Sequence, residues 1–333
     1  MANLRQRAWV FLCLLAAPAL GWSEWLQEKQ DIMGTEVAVT VWHDNTKTGE
    51  AAVAAVMAEM RRIDITYSPY IDTSDLARVN ASAAKEPIAI SAEFSLLIER
   101  SLHYSKISGG AFDITFASLG WFYDYRGKKA PDAEQHKTLL PAINYQFLNF
   151  DPKRRTLAFA HPNVRIDLGG IAKGYAVDRA IEILRNHGIS HASVSAGGDS
   201  LLLGDRRGRP WLIGIKNPRQ QGAEDRAVVL TMPLNDVAVS TSGDYERYFV
   251  DEKTGEWVHH ILNPKTGKSA HGVISVTILG PQGIDTDALS TTVFVLGVKE
   301  GLELLARLPG FDGVIIDANG KVHYSEGLQP PGQ

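Results

Sequence analysis

The sequence of 333 residues has a single cysteine, Cys13, and it lies in an apolar stretch close to the N-terminus. The rest of the chain has no cysteine, which excludes a disulfide framework and is compatible with an oxidising compartment. No run of like charge reaches five residues, and the formal net charge is −4. This balance argues against a nucleic-acid-binding surface and against a charged disordered tail.

Several motifs that would identify common enzyme classes are also missing. The chain has no GxxxxGK[ST] P-loop, no GxGxxG dinucleotide fingerprint and no GxSxG nucleophile elbow. No histidines, cysteines or carboxylates recur at zinc-ligand spacing. We therefore expect no P-loop nucleotide hydrolase, no Rossmann dehydrogenase, no serine hydrolase and no transition-metal site.

The N-terminus has the pattern of an export signal. Arg5 and Arg7 precede the apolar run AWVFLCLLAAPAL at 8–20, which is short for a membrane span, and small residues follow it. We predict a signal peptide over residues 1–22 and a mature domain over 23–333, with a periplasmic location. The alternative is that the segment stays uncleaved as an N-terminal anchor.

Short apolar runs with turn residues between them predict many strands and few helices. Helices are predicted at about 49–64, from the cap Ser91 to about 107, at about 170–187 and over 286–308. Strands are predicted at 36–42, 87–90, near 145–150, 155–160, 164–167, 191–196, 200–204, 211–215, 228–232, 237–241, 272–279 and 313–318. Because the strands cluster rather than alternate with helices, we predict an α+β fold with a mostly antiparallel or mixed sheet.

The stretch RIDLGGIAKGYAVDRAIEIL places a lysine where an apolar residue is expected. From Val177 onwards the apolar residues follow one helical stripe, and Lys173 lies one turn earlier on that stripe. A buried cation in the first helical turn is unfavourable, since it opposes the helix dipole. Asp167 and two glycines precede it, so the loop and helix N-terminus predict a site for an anion such as phosphate. The alternative is a tight turn with a snorkelling lysine.

A second candidate site lies in GIDTDALSTTVFVLG, residues 283–297. Asp287 and Thr291 are four residues apart, so a helix would place the carboxylate and the hydroxyl on one face. One carboxylate, one hydroxyl and backbone carbonyls suit Mg²⁺, which keeps waters and accepts phosphate oxygens. The alternatives are a helix N-terminus with Asp285 or Asp287 near its cap, or a strand across the β-branched run 291–295.

Four further stretches contain residues that could contact a ligand. His259 and His260 precede the turn sequence NPKTG, where a histidine could accept a proton from an attacking hydroxyl, or could simply end a strand. The block 109–116 could line a ring pocket or cap a helix with a packed Phe. The block 240–249 could offer hydroxyls and amides to phosphate, and 196–199 is either a tight hairpin or a close backbone approach.

Taken together and in order, these blocks resemble the ApbE family of FAD:protein FMN transferases. The matching blocks are MGT, SPYIDTSDLARVN, GGAFDIT, DLGGIAKGYAVD, AGGD, STSGDYER, HHILNPKTG and DALSTTVFVLG, which span about 33–300. The resemblance implies a bilobed α+β fold that binds FAD and Mg²⁺ between its lobes. It also implies transfer of FMN to a threonine or serine hydroxyl of a target protein, with release of AMP.

The resemblance also implies partners and alternatives. Typical targets in the family are subunits of the Na⁺-translocating NADH:quinone reductase and of Rnf-type complexes, so membrane association would come through the targets. Some members instead hydrolyse FAD to FMN and AMP. A third possibility, from another class, is a periplasmic flavin-binding protein without turnover, which the pair of Asp287 and Thr291 disfavours because plain flavin binding needs no metal.

Site residues follow from the resemblance position by position. Mg²⁺ ligands would be Asp287, Thr291 and the backbone carbonyl of Gly170, and His260 would assist the transfer. FAD contacts would come from Met33, Tyr70, Ala111, Phe112, Asp113, Asp167, Lys173 and Ile261. Two departures stand out: members often have Asp at the position of Asn263, and the residues around Cys13 do not form a lipobox.

Overall fold

The computed structural model describes residues 25–216, 219, 228–252 and 254–328. The predicted signal peptide 1–22, with Cys13, lies outside the described residues. None of the helices within these ranges is both long and apolar enough to cross a membrane.

The described chain forms strands and helices in the following order. The strands are β1 Trp25–Ile32, β2 Thr35–Trp42, β3 Ile88–Ala89, β4 Leu148–Asp151, β5 Thr156–Phe159, β6 His191–Ala196, β7 Asp199–Leu203, β8 Trp211–Lys216, β9 Val228–Leu234, β10 Ala238–Gly243, β11 Tyr248–Val250, β12 Trp257–His259, β13 Leu262–Asn263, β14 Lys268–Ser269, β15 Val273–Gly280, β16 Asp312–Asp317 and β17 Val322–Tyr324. The helices are α1 Thr46–Tyr67, α2 Asp75–Ser82, α3 Ala92–Ile107, α4 Ala117–Gly120, α5 Ala133–Leu139, α6 Ala172–Asn186 and α7 Gly283–Leu305.

One large sheet organises the fold. Its eight strands lie in the order β1-β2-β6-β7-β10-β15-β16-β17, and every neighbouring pair is antiparallel. Along β2 the side chains of Val37, Val39 and Val41 are buried, with more exposed residues between them, as the period of a strand requires. A small three-stranded sheet, β3-β5-β4, and three short hairpins complete the strands. The predicted α+β class with antiparallel sheets is confirmed.

Helices cover one face of the large sheet, and a hairpin packs against part of the other. Helices α1, α6 and α7 pack side by side on the strands and share one apolar core with them. The predicted stripe of α6 is buried throughout: Val177, Ala180, Ile181 and Leu184. On the other face, β8 and β9 pack against apolar side chains of β10, β15 and β16 in a second, smaller core. This arrangement brings the N-termini of α6 and α7 together above the middle of the sheet.

Two expectations about local structure had different outcomes. The predicted strand at 164–167 is wrong: the backbone there bonds to side chains and turns instead of to a neighbouring strand. Asn80 exchanges two hydrogen bonds with the backbone of Ile166, and Asp167 N–H donates to Ile114 O. The segment 283–297 is helical, as in the first alternative, and α7 kinks at Gly297 where φ is 80°.

Candidate functional site

The centre of the site is the place where α6 and α7 begin. Neither helix has a capping side chain at its own N-cap residue, which is Ile171 for α6 and Gln282 for α7. The two helices approach so closely that a Cβ on Gly174 would lie 2.0 Å from the carbonyl oxygen of Gly283. Only glycine fits at such a contact. Two positive helix ends therefore converge on one location.

Lys173, in the first turn of α6, lies among oxygen atoms. Its Nζ is 2.9 Å from Asp199 Oδ2, 3.3 Å from both carboxylate oxygens of Asp287, and 2.9 Å from Gly169 O. Both carboxylates keep only 3% of their surface exposed. Two buried carboxylates therefore compensate the charge of this lysine within the fold, which the sequence did not indicate. The anion site at this loop stays a prediction.

Neighbouring charges shift the protonation of Lys173 and Asp287. Burial alone would lower the pKa of Lys173, but Asp199 and Asp287 outweigh it, so its pKa lies above the usual value. Burial and the neighbouring Asp199 raise the pKa of Asp287 to about 7, against the opposing effects of Lys173 and the Gly174 N–H. The cluster therefore holds one cation and a carboxyl group that titrates near neutrality.

Oxygen donors for a hard cation surround Asp287. Thr291 follows it by one turn of α7, and the Thr291 hydroxyl lies 3.2 Å from that of Ser242 at the end of β10. A Cβ on Gly170 would be 3.5 Å from Thr291 Oγ1 and 3.2 Å from the Phe112 ring, so the Gly170 backbone borders the same space. Within the described ranges, no three His, Cys, Asp or Glu side chains converge to hold a metal. A carboxylate, a hydroxyl and a carbonyl fit Mg²⁺, which takes its other ligands from water and phosphate.

The structure separates the roles of the two adjacent histidines. His259 is buried, its Nε2 bonds Ala270 O at 2.7 Å, and its Nδ1 accepts the Ile261 N–H. His260 Nδ1 is buried without a hydrogen-bond partner among the described residues. Burial and the electrostatic effect of nearby Arg247, His259 and Lys173 lower the pKa of His260 to about 3. His259 therefore has both ring nitrogens bonded within the fold and is structural. His260 is a neutral imidazole whose Nδ1 has no partner among the described residues.

The turn between β1 and β2 reaches the same region. Met33 has a φ of 57°, in the left-handed region that non-glycine residues rarely adopt, and Gly34 follows with a φ of 69°. A guanidinium nitrogen of Arg247 lies 3.3 Å from Gly34 O, and Arg247 O accepts the His260 N–H. Arg247 thus joins the Met33 turn to the histidine loop.

An aromatic cleft forms the outer part of the site. Tyr70, 74% exposed, stacks on Trp121 with ring centroids 5.4 Å apart, and the Arg165 guanidinium lies 3.7 Å from the Trp121 ring centre. These residues line a cleft of about 410 Å³. Arg165 Nε has no partner in the described part of the chain. Burial raises the pKa of Asp167 against the pull of the Gly169 N–H and of nearby Arg247, Lys173 and Arg165.

Four of the residues proposed to contact the flavin have side chains that pack or form hydrogen bonds within the protein. Both oxygens of Asp113 accept hydrogen bonds, from the Thr115 N–H and hydroxyl and from the Tyr145 N–H, so this carboxylate shapes the chain after α3. Ala111, Phe112 and Ile261 are buried side chains. Phe112 still borders the site through Gly170, whereas the block 109–116 as a whole is a helix end with a packed ring.

Sequence reasoning missed several residues of the site. Asp199, Arg247 and Trp121 were not assigned a role, and Ser242 was considered only within the block 240–249 as a phosphate contact. Asp199 lies in AGGD, and both Ser242 and Arg247 lie in STSGDYER, yet nothing in a lone glycine turn or a polar stretch indicates that it faces Lys173 or Thr291. The block AGGD is a tight hairpin between β6 and β7, which delivers Asp199 to the lysine.

Comparisons with known proteins point to one family. The model of the ApbE family matches residues 33–315. The FAD:protein FMN transferase of Treponema pallidum is 31% identical over 315 residues, covering 89% of this chain and 86% of that protein. The FAD:protein FMN transferase of Haemophilus influenzae is 33% identical over 285 residues, covering 83% of this chain and 82% of that protein.

Solved structures show the same fold. The crystal structure of the ApbE protein from Thermotoga maritima superposes with a TM-score of 0.82 at 33% identity, covering 91% of this chain and 98% of that chain. The flavinyl transferase ApbE of Pseudomonas stutzeri gives a TM-score of 0.79 at 28% identity, covering 91% and 95%. The family match over most of the sequence, with relatives at these identities, shows that this chain belongs to the ApbE family.

Proposed function

We propose that this protein is a Mg²⁺-dependent FAD:protein FMN transferase that moves FMN from FAD to a threonine or serine hydroxyl and releases AMP. The observation that supports this most is the meeting of two helix N-termini beside Lys173, Asp287 and Thr291. Helix N-termini favour phosphate groups, and a carboxylate with a hydroxyl favours a hard cation. A diphosphate with its bound cation needs both a phosphate-binding group and a cation-binding group.

In the proposed reaction, the acceptor hydroxyl oxygen attacks the phosphorus on the FMN side of the diphosphate. The new phosphoester bond forms as the bond from that phosphorus to the bridging oxygen breaks, and AMP leaves with this oxygen. The hydroxyl proton is lost to a base or to water. Catalysis of this kind depends mainly on positioning and on stabilising charge.

The chain's own groups fit these tasks. Asp287, Thr291 and the Gly170 carbonyl would hold Mg²⁺, which when bound neutralises diphosphate charge. Lys173 would bind phosphate oxygens, and Arg165 with the Tyr70–Trp121 stack would hold a planar ring. The unpartnered atoms of Arg165 and His260 are groups that a bound ligand would satisfy.

The first role of His260 would be to orient the acceptor hydroxyl. With a pKa of about 3 its imidazole is neutral at neutral pH and a weak proton acceptor. A bound diphosphate brings negative charge close to the ring and so raises the pKa of His260 towards a useful range. The unpartnered Nδ1 then accepts a hydrogen bond from the incoming hydroxyl.

Place and partners belong to the same proposal. We propose a periplasmic protein whose acceptors are flavoprotein subunits of a Na⁺-translocating NADH:quinone reductase or an Rnf-type complex, with membrane association through those subunits. The support is the family resemblance together with the export-signal pattern of residues 1–22.

The experiment is mass spectrometry of a purified acceptor domain incubated with the protein, FAD and Mg²⁺, with and without EDTA. We expect the acceptor to gain the mass of an FMN phosphoester, with an equal amount of AMP, only when EDTA is absent. AMP and free FMN beside an unmodified acceptor would favour an FAD pyrophosphatase instead. Bound FAD with no product would favour a flavin-binding protein.

A further inference from the structure

Helices α6 and α7 cap each other. On α6, the sequence GYAVD runs from Gly174 to Asp178, and on α7 the sequence GIDTD runs from Gly283 to Asp287. Asp287 accepts the Gly174 N–H at 2.9 Å. In return, Asp178 accepts the N–H groups of Gly283 and Ile284 at 2.6 and 2.8 Å. We call these five hydrogen-bonding positions, Gly174, Asp178, Gly283, Ile284 and Asp287, the reciprocal cap.

The reciprocal cap replaces ordinary helix capping. A helix normally satisfies its first N–H groups with the side chain of its own N-cap residue. Here both N-cap residues lack such a bond, so each helix depends on the aspartate of the other. The glycine in each motif allows the contact, since a Cβ on Gly283 would lie 2.4 Å from Gly174 O.

The two aspartates of the reciprocal cap have different surroundings. Asp287 also contacts Lys173 and lies one turn before Thr291. Both carboxylate oxygens of Asp178 accept hydrogen bonds from α7, and among the described residues Asp178 has no hydrogen bond to a group of the site. Asp178 therefore controls where α7 begins relative to α6. Asp287 lies one turn after Gly283 on α7, so the position at which α7 begins also sets where the Asp287 carboxylate lies relative to Gly170.

We propose that Asp178 is a positioning residue that acts through Asp287: by capping α7 from α6, it sets the affinity of the site for a divalent cation. The inference rests on the proposed function, because it takes Asp287 as a Mg²⁺ ligand. Groups that orient metal ligands typically change metal affinity by about 10- to 100-fold when they are removed. The same loss of a hydrogen-bonded carboxylate far from the site would change stability alone.

The test is calorimetric titration of the full chain with MgCl₂, without FAD. The variants are Asp178→Asn, whose amide keeps one acceptor oxygen for two N–H groups, and Asp178→Ala, which keeps none. The matched control is Asn45→Ala, which removes the side chain that accepts the Thr48 N–H at the start of α1. Circular dichroism and hydrogen exchange of the Gly174 amide accompany each titration.

We expect Mg²⁺ binding to weaken about 10-fold or more in Asp178→Ala and less in Asp178→Asn, with faster exchange at Gly174. Asn45→Ala should lose stability but keep the affinity of the wild type. If Asp178→Ala does not fold, Asp178→Asn decides the matter by the same criteria. Unchanged Mg²⁺ affinity in the folded variant would overturn the positioning role alone. A wild type that binds Mg²⁺ neither alone nor in the presence of FAD would overturn the metal in the proposed function, and this inference with it.

Discussion

Replacing Lys173 with methionine removes the one cation between two buried carboxylates. The ammonium is 2.9 Å from Asp199 and 3.3 Å from Asp287, and both acids are nearly inaccessible to solvent. Methionine has a similar length and no charge, so the main change is electrostatic. The two carboxylates would then face each other in a protein interior without compensation.

The expected cost follows from the burial of the pair. Removing one partner of a buried ion pair typically costs about 3–5 kcal/mol, since the remaining charge stays buried and unpaired. At pH 8 we expect the free energy of unfolding to fall by about this amount. The surface control is Lys29→Met, whose ion pair with Glu36 has both side chains more than half exposed. Its loss should be below about 1 kcal/mol.

The loss of stability in Lys173→Met should depend on pH. The pKa of Asp287 is already raised to about 7, and loss of the ammonium raises it further. A carboxyl group with a raised native pKa contributes stability at low pH that is lost as the pH rises through that pKa. The variant should therefore be much closer to the wild type at pH 5.5 than at pH 8.

The assay is urea unfolding followed by tryptophan fluorescence at both pH values, with and without Mg²⁺. Mg²⁺ should restore part of the lost stability in Lys173→Met at pH 8, because a cation again faces the carboxylates. An equal loss of stability at pH 5.5 and pH 8 would refute the electrostatic account, as would a loss no larger than that of Lys29→Met.

Three other variants test separate parts of the structure. Gly174→Ala should lower the urea midpoint by an amount equivalent to about 3 kcal/mol or more, since its Cβ would meet the backbone of α7. In the control Gly49→Ala, the Cβ first meets the end of the Leu26 side chain, which can turn. Equal midpoints would contradict the tight helix contact. His259→Ala should destabilise the fold while His260→Ala keeps its melting temperature and loses FMN transfer, and the reverse pattern would contradict the assignment. Burial raises the pKa of Asp178 to about 6, so the wild type should lose stability as this carboxyl ionises, whereas Asp178→Asn should not. The free energy of unfolding of the variant should therefore rise relative to that of the wild type by about 2–3 kcal/mol between pH 4 and pH 7. Stability curves of the two proteins that run parallel over this pH range would contradict the prediction.

Local patterns predicted most elements of the fold. Alternation along β2 and the apolar stripe of α6 each report burial of one face, and both are formed as expected. The cap Ser91 accepts the Phe94 N–H at the start of α3, also as expected. The segment 164–167 failed because its extended backbone bonds to Asn80, 86 residues away, and no local pattern specifies such a partner.

The site was less predictable because its contacts join distant parts of the chain. The position of Lys173 on a buried stripe correctly indicated that something must compensate its charge. The compensating groups are Asp199 on β7 and Asp287 on α7, and only the assembled sheet brings them to the lysine. Likewise, Asp178 could not be recognised as a cap, since it caps a helix that begins more than 100 residues later.

The most direct test of the central claim compares Asp287→Ala with Asp285→Ala in the flavin transfer assay. Both acids are buried on α7, but Asp285 pairs with Arg100 at 3.5 Å, whereas Asp287 pairs with Lys173 at 3.3 Å. With FAD, Mg²⁺ and an acceptor domain, we predict that the FMN adduct forms with Asp285→Ala and the wild type and is lost with Asp287→Ala. Normal Mg²⁺-dependent transfer by a folded Asp287→Ala would contradict the account.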